Sequence, residues 1–180
     1  MARTPELRRR GVWRRLDALS RFMFPLGFLM FGLFVAGMPF GLPWQAALRP
    51  VYAMACVFFW SLYRPSSLPA PFVALVGVLV DLAGGSPMGM WAVLLLVLQG
   101  VILAVQRRLV GQRFLLVWLV FCGMSSCGAG LAWAVESLFS LRILPLMPLG
   151  AEILLAMGLY PALAAFFIRA HRGPAAVELA

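Results

Sequence analysis

The sequence predicts an all-α integral membrane protein, a compact bundle of six transmembrane helices with both termini on the cytoplasmic side. Three observations carry that prediction. The first is composition: of 180 residues, 63% are hydrophobic and 12% charged, against roughly 45–50% and about 25% in soluble domains. Such a chain has too little polar surface to cover a core in water. The second is a succession of six apolar runs separated by short turns. The third is an arginine distribution that assigns those turns to alternate sides of a membrane.

The first run, Phe22 to about Gly41, has the roughly 20 residues needed to cross a hydrocarbon core. It follows arginines, as a signal peptide would, but no small-x-small cleavage site follows it, so it reads as an uncleaved first helix. Run two, Pro50 to Tyr63, is short, and reaches 20 residues only if it starts at Trp44 and Arg49 snorkels outward. Run three extends from Leu68 to Leu82. Run four, Met88 to Val105, opens on "SPMG", where Ser86 suits a helix cap and Pro87 a first turn. Run five is Phe114 to Val135, and run six about Leu146 to Ile168. Runs two and three also fit a re-entrant hairpin; six spanning helices are the preferred reading, because backbone in lipid must be hydrogen-bonded within helices.

All 15 basic residues are arginine. Seven fall in residues 1–21, an arginine-rich cytoplasmic segment that precedes the six-helix domain at 22–168 and a short cytoplasmic tail at 169–180. With the N-terminus inside, Arg64, Arg107, Arg108, Arg113, Arg169 and Arg172 join those seven, and only Arg49 and Arg142 lie outside. That skew is the positive-inside signature. It also removes nucleic acid as a partner, because beyond the N-terminal cluster the arginines are scattered between apolar runs; the cluster faces anionic membrane lipid instead. The N-terminal segment around Trp13 fits either an interfacial amphipathic helix or an extended basic tail. Trp44, Trp91 and Trp133 are placed toward the outer interface, Trp60 and Trp118 toward the inner one.

The chemistry-bearing residues are sparse. Cys56, Cys122 and Cys127 have no CxxC spacing and read as small packing residues, and His171 is the single histidine. No HExxH motif and no aspartate cluster is present, so no catalytic residue, metal site or cofactor is assigned. Asp81 follows nine uninterrupted apolar residues and is the most informative side chain. A carboxylate there must face protein or water, be neutralised, or pair. The adjoining "GGSPMG" offers a concrete local role, in which its oxygens accept from exposed N–H groups at the start of helix four; a partner-facing role and direct solute or proton chemistry are the alternatives. Glu136 marks the outer end of helix five, and Glu152 is placed near headgroups, with pairing to Arg142 or Arg49 as the alternative. Helix five carries "CGMSSCGAG", in which Cys122, Ser126 and Gly130 share one stripe stripped of bulk. Small faces let helices approach closely in lipid, either within the bundle or against a partner's helix. Gly77, Asp81 and Gly85 form a smaller face of the same kind.

At "RPVYAMACVFFWSLYRP" and "GVLVDLAGGSPMGMWAVLLLVLQ" the sequence resembles the rod shape-determining protein MreD family of bacteria. The matching letters are Trp60 with Arg64 and Pro65, then Gly77, Asp81, Gly85, Ser86, Pro87 and Gly89. They are confined to residues 49–99, while length and hydropathy agree over the whole chain. The resemblance implies a multi-pass inner-membrane protein similar in shape to the substrate-binding subunits of energy-coupling-factor transporters. It further implies a non-enzymatic scaffold of the cell-elongation machinery, partnering MreC and through it MreB and the peptidoglycan synthases. Ser126 and Gly130 are further interaction candidates, read from the small face of helix five and not from the resemblance. A small-solute binding or transport component is the competing reading, with Asp81, Glu152 and Arg142 lining a pocket between helix ends.

Overall fold

The structure, a computed structural model, describes residues 25–38, 41 and 45–175, with side chains followed as far as Ala165. The arginine-rich segment 1–21 with Trp13, Trp44 and residues 176–180 lie outside the described residues, as do the side chains of Arg169, His171 and Arg172. The described chain is α-helical throughout, with six apolar helices: α1 Pro25–Gly37, α2 Gln45–Tyr63, α3 Ala70–Gly84, α4 Met90–Leu109, α5 Phe114–Phe139 and α6 Met147–Ala175. A 3-10 turn, Pro65–Ser67, joins α2 to α3.

Four of these, α2, α4, α5 and α6, are long and apolar enough to cross a membrane. The chain is therefore a multi-pass membrane protein. α3, with 15 residues, is shorter; at 1.5 Å per residue it spans about 22 Å, less than a hydrocarbon core of about 30 Å. α2 gains its length as the sequence allowed, by starting at Gln45 and carrying Arg49 and Pro50 inside the helix.

Successive helices run antiparallel, and side-chain bonds to neighbouring backbone fix their register. Tyr52 Oη donates to the Phe28 carbonyl at 2.8 Å, tying α2 to α1. Gln99 Nε2 donates to the Leu68 carbonyl at 2.7 Å, tying α4 to the entry of α3. Trp118 Nε1 donates to the Met157 carbonyl at 3.0 Å, and Trp133 Nε1 to the Leu144 carbonyl at 3.2 Å, so α5 is held to α6 near both ends. Pro25 and Ala175 consequently lie at the same end of the bundle.

The centre is α2, which packs on α3, α4, α5 and α6 as well as α1. Every residue from Ala53 through Leu62 is buried. A helix apolar around its whole circumference is stable only when other helices surround it or lipid does, and here helices do. Phe58 of α2 meets Phe121 of α5 and Tyr160 of α6 edge-on, with ring centroids 5.2 and 5.4 Å apart, while Phe121 and Tyr160 stack at 4.4 Å. Lipid tails are as apolar as the core, so this fit and the interhelical hydrogen bonds hold the helices together. Trp60 and Trp91 belong to this interior. Both rings, placed toward the inner and outer interface respectively by the sequence, are buried against other helices.

Candidate functional site

The carboxylates of the described chain, Asp81, Glu136 and Glu152, lie at the end of the bundle where α3 turns into α4. The turn is built by two glycines. Gly85 closes α3 in the left-handed conformation, φ 73°, its N–H donating to the Asp81 carbonyl at 2.9 Å. Gly89 precedes α4 with φ 90°. Both conformations are accessible to glycine at no steric cost, and Ser86 and Pro87 lie between them. The chain thereby reverses in a few residues and aims the first N–H groups of α4 back at the last turn of α3.

Asp81 occupies the position those N–H groups face. Its Oδ2 accepts from the Gly89 N–H at 2.8 Å and its Oδ1 from the Trp91 N–H at 3.0 Å, and the residue is 1% exposed. An α-helix begins with N–H groups that lack intrahelical acceptors and with a partial positive charge. A carboxylate contributed by the preceding helix answers both, so Asp81 is an N-cap supplied from across the turn.

One helical turn earlier, Gly77 lies against α4. A Cβ at this position would overlap the backbone of Ala92 and Trp91. The two helices therefore touch main chain to main chain at Gly77, and this contact brings Asp81 within hydrogen-bond distance of α4.

Two further bonds fasten the turn to the rest of the bundle. Ser86 Oγ donates to Glu136 Oε1 at 2.9 Å, joining it to the last turns of α5. The Arg49 guanidinium donates to the Ala83 carbonyl at the end of α3, and to the carbonyls of Ala36 at 3.4 Å and Gly37 at 3.5 Å at the end of α1. Gln45 Nε2 adds a bond to Met38. Arg49 thus places a positive charge on the negative ends of two helix dipoles at once. From the sequence Arg49 was a snorkelling boundary residue; its clamp depends on tertiary proximity of α1 and α3, for which spacing holds no signal. For the bond made by Gln99 the sequence does hold a signal, a lone amide in an apolar run.

The remaining sequence candidates do not join this cluster. Arg64 and Pro65 are exposed at the opposite end, where the Arg64 N–H donates to the Trp60 carbonyl at 2.8 Å to end α2. On α5 the buried small residues are Cys122, Ser125, Ala129 and Ala132, with Gly128 against Met54 Sδ. Ser126 is half-buried, and Gly130, also half-buried, has no atom within 4 Å of where a Cβ would stand. Cys127 is exposed. The inward side of α5 is therefore rotated from the Ser126–Gly130 stripe.

Glu152 stands in the second turn of α6. With Ala156, Tyr160 and Ala164, which are buried, it forms the i, i+4 stripe of α6 that faces the bundle. Its Oε1 is buried with no hydrogen-bond partner, on the side of Glu136, and it pairs with neither Arg142 nor Arg49. Arg142 is exposed in the α5–α6 loop. Asp81, Glu152 and Arg142 thus do not converge on a common cavity wall. Among the described residues no three His, Cys, Asp or Glu side chains cluster as metal ligands.

The chain matches no model of a known protein family, no curated protein and no solved structure.

Proposed function

We propose that this multi-pass membrane protein is a non-enzymatic scaffold of the bacterial cell-elongation machinery, acting in rod shape maintenance and peptidoglycan synthesis through MreC. In this reading all six helices cross the inner membrane, with both termini cytoplasmic, and the bundle resembles the substrate-binding subunits of energy-coupling-factor transporters in outline. The observation that supports it is the use made of the block carrying the family resemblance. Gly77, Asp81, Gly85, Ser86 and Gly89 are engaged in one interhelical fastening, in which both carboxylate oxygens of Asp81 are occupied by backbone donors. A block so engaged builds a rigid body, which is what a scaffold needs and what a solute site, with free polar groups to orient a ligand, does not.

The small-solute alternative rests on Glu152, whose buried oxygen is unpartnered at the same end of the bundle. It lacks the convergent polar groups that such a site requires.

Co-purification tests the proposal. The tagged full chain, solubilised in mild detergent, should retain a single-span protein with a periplasmic coiled coil, MreC, and depletion of the chain should convert rods to spheres. Rod-shaped cells that survive depletion, or a chain that leaves MreC behind, would exclude the scaffold role.

A further inference from the structure

α6 is the longest helix of the described chain, and Pro161 stands at its middle, the fifteenth of 29 residues. Proline has no N–H and its ring crowds the carbonyl four residues back, so the Met157 carbonyl cannot receive its usual intrahelical bond. Pro148, in the first turn of the same helix, carries no such cost, because N–H groups there lack intrahelical acceptors in any case. The Met157 carbonyl is answered from another helix instead: Trp118 Nε1 of α5 donates to it at 3.0 Å. The helical bond that Pro161 removes is thus replaced by a side chain.

The two sides of Pro161 are held differently. Tyr160, directly before it, is buried; its ring stacks on Phe121 with centroids 4.4 Å apart and on Phe114 at 6.3 Å, and meets Phe58 edge-on. This clasp fixes the first half of α6 to α2 and α5. Of the four residues that follow Pro161, Ala162 to Ala165, only Ala164 is buried, and an alanine offers little side chain with which to grip a neighbour. α5 also runs out here. From the level of the Trp118–Met157 bond, α5 extends four residues back to its start at Phe114, about 6 Å, while α6 continues 18 residues to Ala175, about 27 Å at 1.5 Å per residue. The last turns of α6 project past the start of α5, at the end of the bundle opposite the α3–α4 turn.

The replacement bond is also the kind that opens. The bond from Gln99 to the Leu68 carbonyl is buried, so breaking it would strand both groups without partners. The Trp118–Met157 bond is exposed, so water and lipid oxygens compete for the indole N–H, water competes for the carbonyl, and little is lost when it breaks. Sharp bends in helices concentrate at prolines for the same reason. A bend of about 20° at Pro161 swings the tip of the 14 residues beyond it, about 21 Å of helix, by about 7 Å.

We infer that Pro161 is a hinge in α6 and that Trp118 is its latch. With the indole bonded to Met157 the arm from Ala162 to Ala175 is held in the position described; with the bond broken the arm swings against a fixed body. The body does not follow, because the Tyr160 clasp and the Asp81 fastening both lie on the other side of Pro161. The arm carries Arg169 and Arg172, so its swing displaces two positive charges relative to Arg64 and Arg113 at the same end of the bundle. The device re-places charge at one end of the protein without disturbing the packing at the other.

The test measures distances between spin labels by pulsed electron paramagnetic resonance, on the full chain in lipid nanodiscs with its native cysteines replaced. Labels at Leu103 of α4 and at Ala170 report the arm; labels at Leu103 and at Leu131 of α5, both exposed, report the body. Trp118→Phe keeps a ring and removes the N–H. It is expected to widen the arm distribution about twofold, with a second population displaced by about 7 Å, and to leave the body distance as it was. Pro161→Ala restores the backbone donor to Met157 and should narrow the arm to one position; in that background Trp118→Phe should have no effect. An arm distribution that is the same in the parent and in Pro161→Ala overturns the hinge. The latch is overturned if Trp118→Phe leaves the arm unchanged, widens it equally with proline or alanine at 161, or shifts the body distance as well, which would make the indole a packing residue of the body. Should Trp118→Phe fail to fold, it counts as that last outcome, and Pro161→Ala alone decides the hinge.

Discussion

Gly77 packs against the main chain of Ala92 with no room for a methyl group between them. The neighbouring atoms are backbone and cannot rotate away, so Gly77→Ala must separate α3 from α4. Overpacking of this kind costs about 1–3 kcal/mol, whereas alanine returns only about 1 kcal/mol in helix propensity. The expected net result is a chain of lower thermal stability in detergent. A variant as stable as the parent would show that the two helices stand further apart than described.

Asp81 tests the same contact from its polar side. Alanine leaves the N–H groups of Gly89 and Trp91 unmet in a buried place, a loss of about 1–3 kcal/mol for a charged hydrogen-bond acceptor. Asparagine keeps one accepting oxygen but turns an NH2 toward the second donor, so it should fall between alanine and the parent. Membrane abundance and melting temperature, measured for both variants, give the order. If both stay as abundant as the parent yet lose activity equally, the carboxylate's charge is needed for something other than capping α4.

Ser86 and Glu136 are distant in sequence and share one hydrogen bond at 2.9 Å. Ser86→Ala and Glu136→Gln should each lower stability by roughly 0.5–1.5 kcal/mol. The double variant should lose less than the sum of the two, because the partners act as one unit. Additive losses would mean that the α3–α4 turn and α5 are not coupled through this pair.

The orientation proposed from the arginine skew, with both termini cytoplasmic, is checked by labelling. In a background where Cys56, Cys122 and Cys127 are replaced, single cysteines at 84–86 and 138–142 should react from outside, and those at 107–112 from inside. Reaction of both outer loops from the cytoplasm would invert the bundle and with it the positive-inside reading.

How far each feature was legible depended on whether water or lipid lay outside it. The apolar runs of α4 and α5 announced themselves because polar turns bound them, and the cap offered by Asp81 was readable because a carboxylate, two glycines and a helix start stood within ten residues. Rotation of a helix about its axis was a different matter. In water an inward face is apolar and an outward face polar, but in lipid both are apolar, so hydropathy carries little information about which side of α5 packs. The "CGMSSCGAG" stretch has small residues nearly all round, and the side in use, with Ser125 and Ala129 buried, is offset by one residue from Ser126 and Gly130. Trp60 illustrates the same limit: its position near the end of α2 suited an interfacial ring, while its orientation into the core was set by helices distant in sequence. For Glu152 the distance to the helix end was visible, and the direction was not.

That offset sharpens what Gly130 can reveal. A leucine there meets open space within the bundle, since no atom lies within 4 Å of a Cβ at that position. Gly130→Leu should therefore leave membrane abundance and thermal stability near the parent's, and the exchange of glycine for a good helix former adds about 1 kcal/mol in favour of the helix. If the Ser126–Gly130 face is a seam for the single transmembrane helix of MreC, the same variant should abolish co-purification, because close approach in lipid depends on van der Waals fit and a leucine pushes the backbones apart. Falling abundance would place Gly130 in the internal core, against the geometry described. Normal abundance with MreC still bound would release this face from partner recognition and move the seam elsewhere on the bundle.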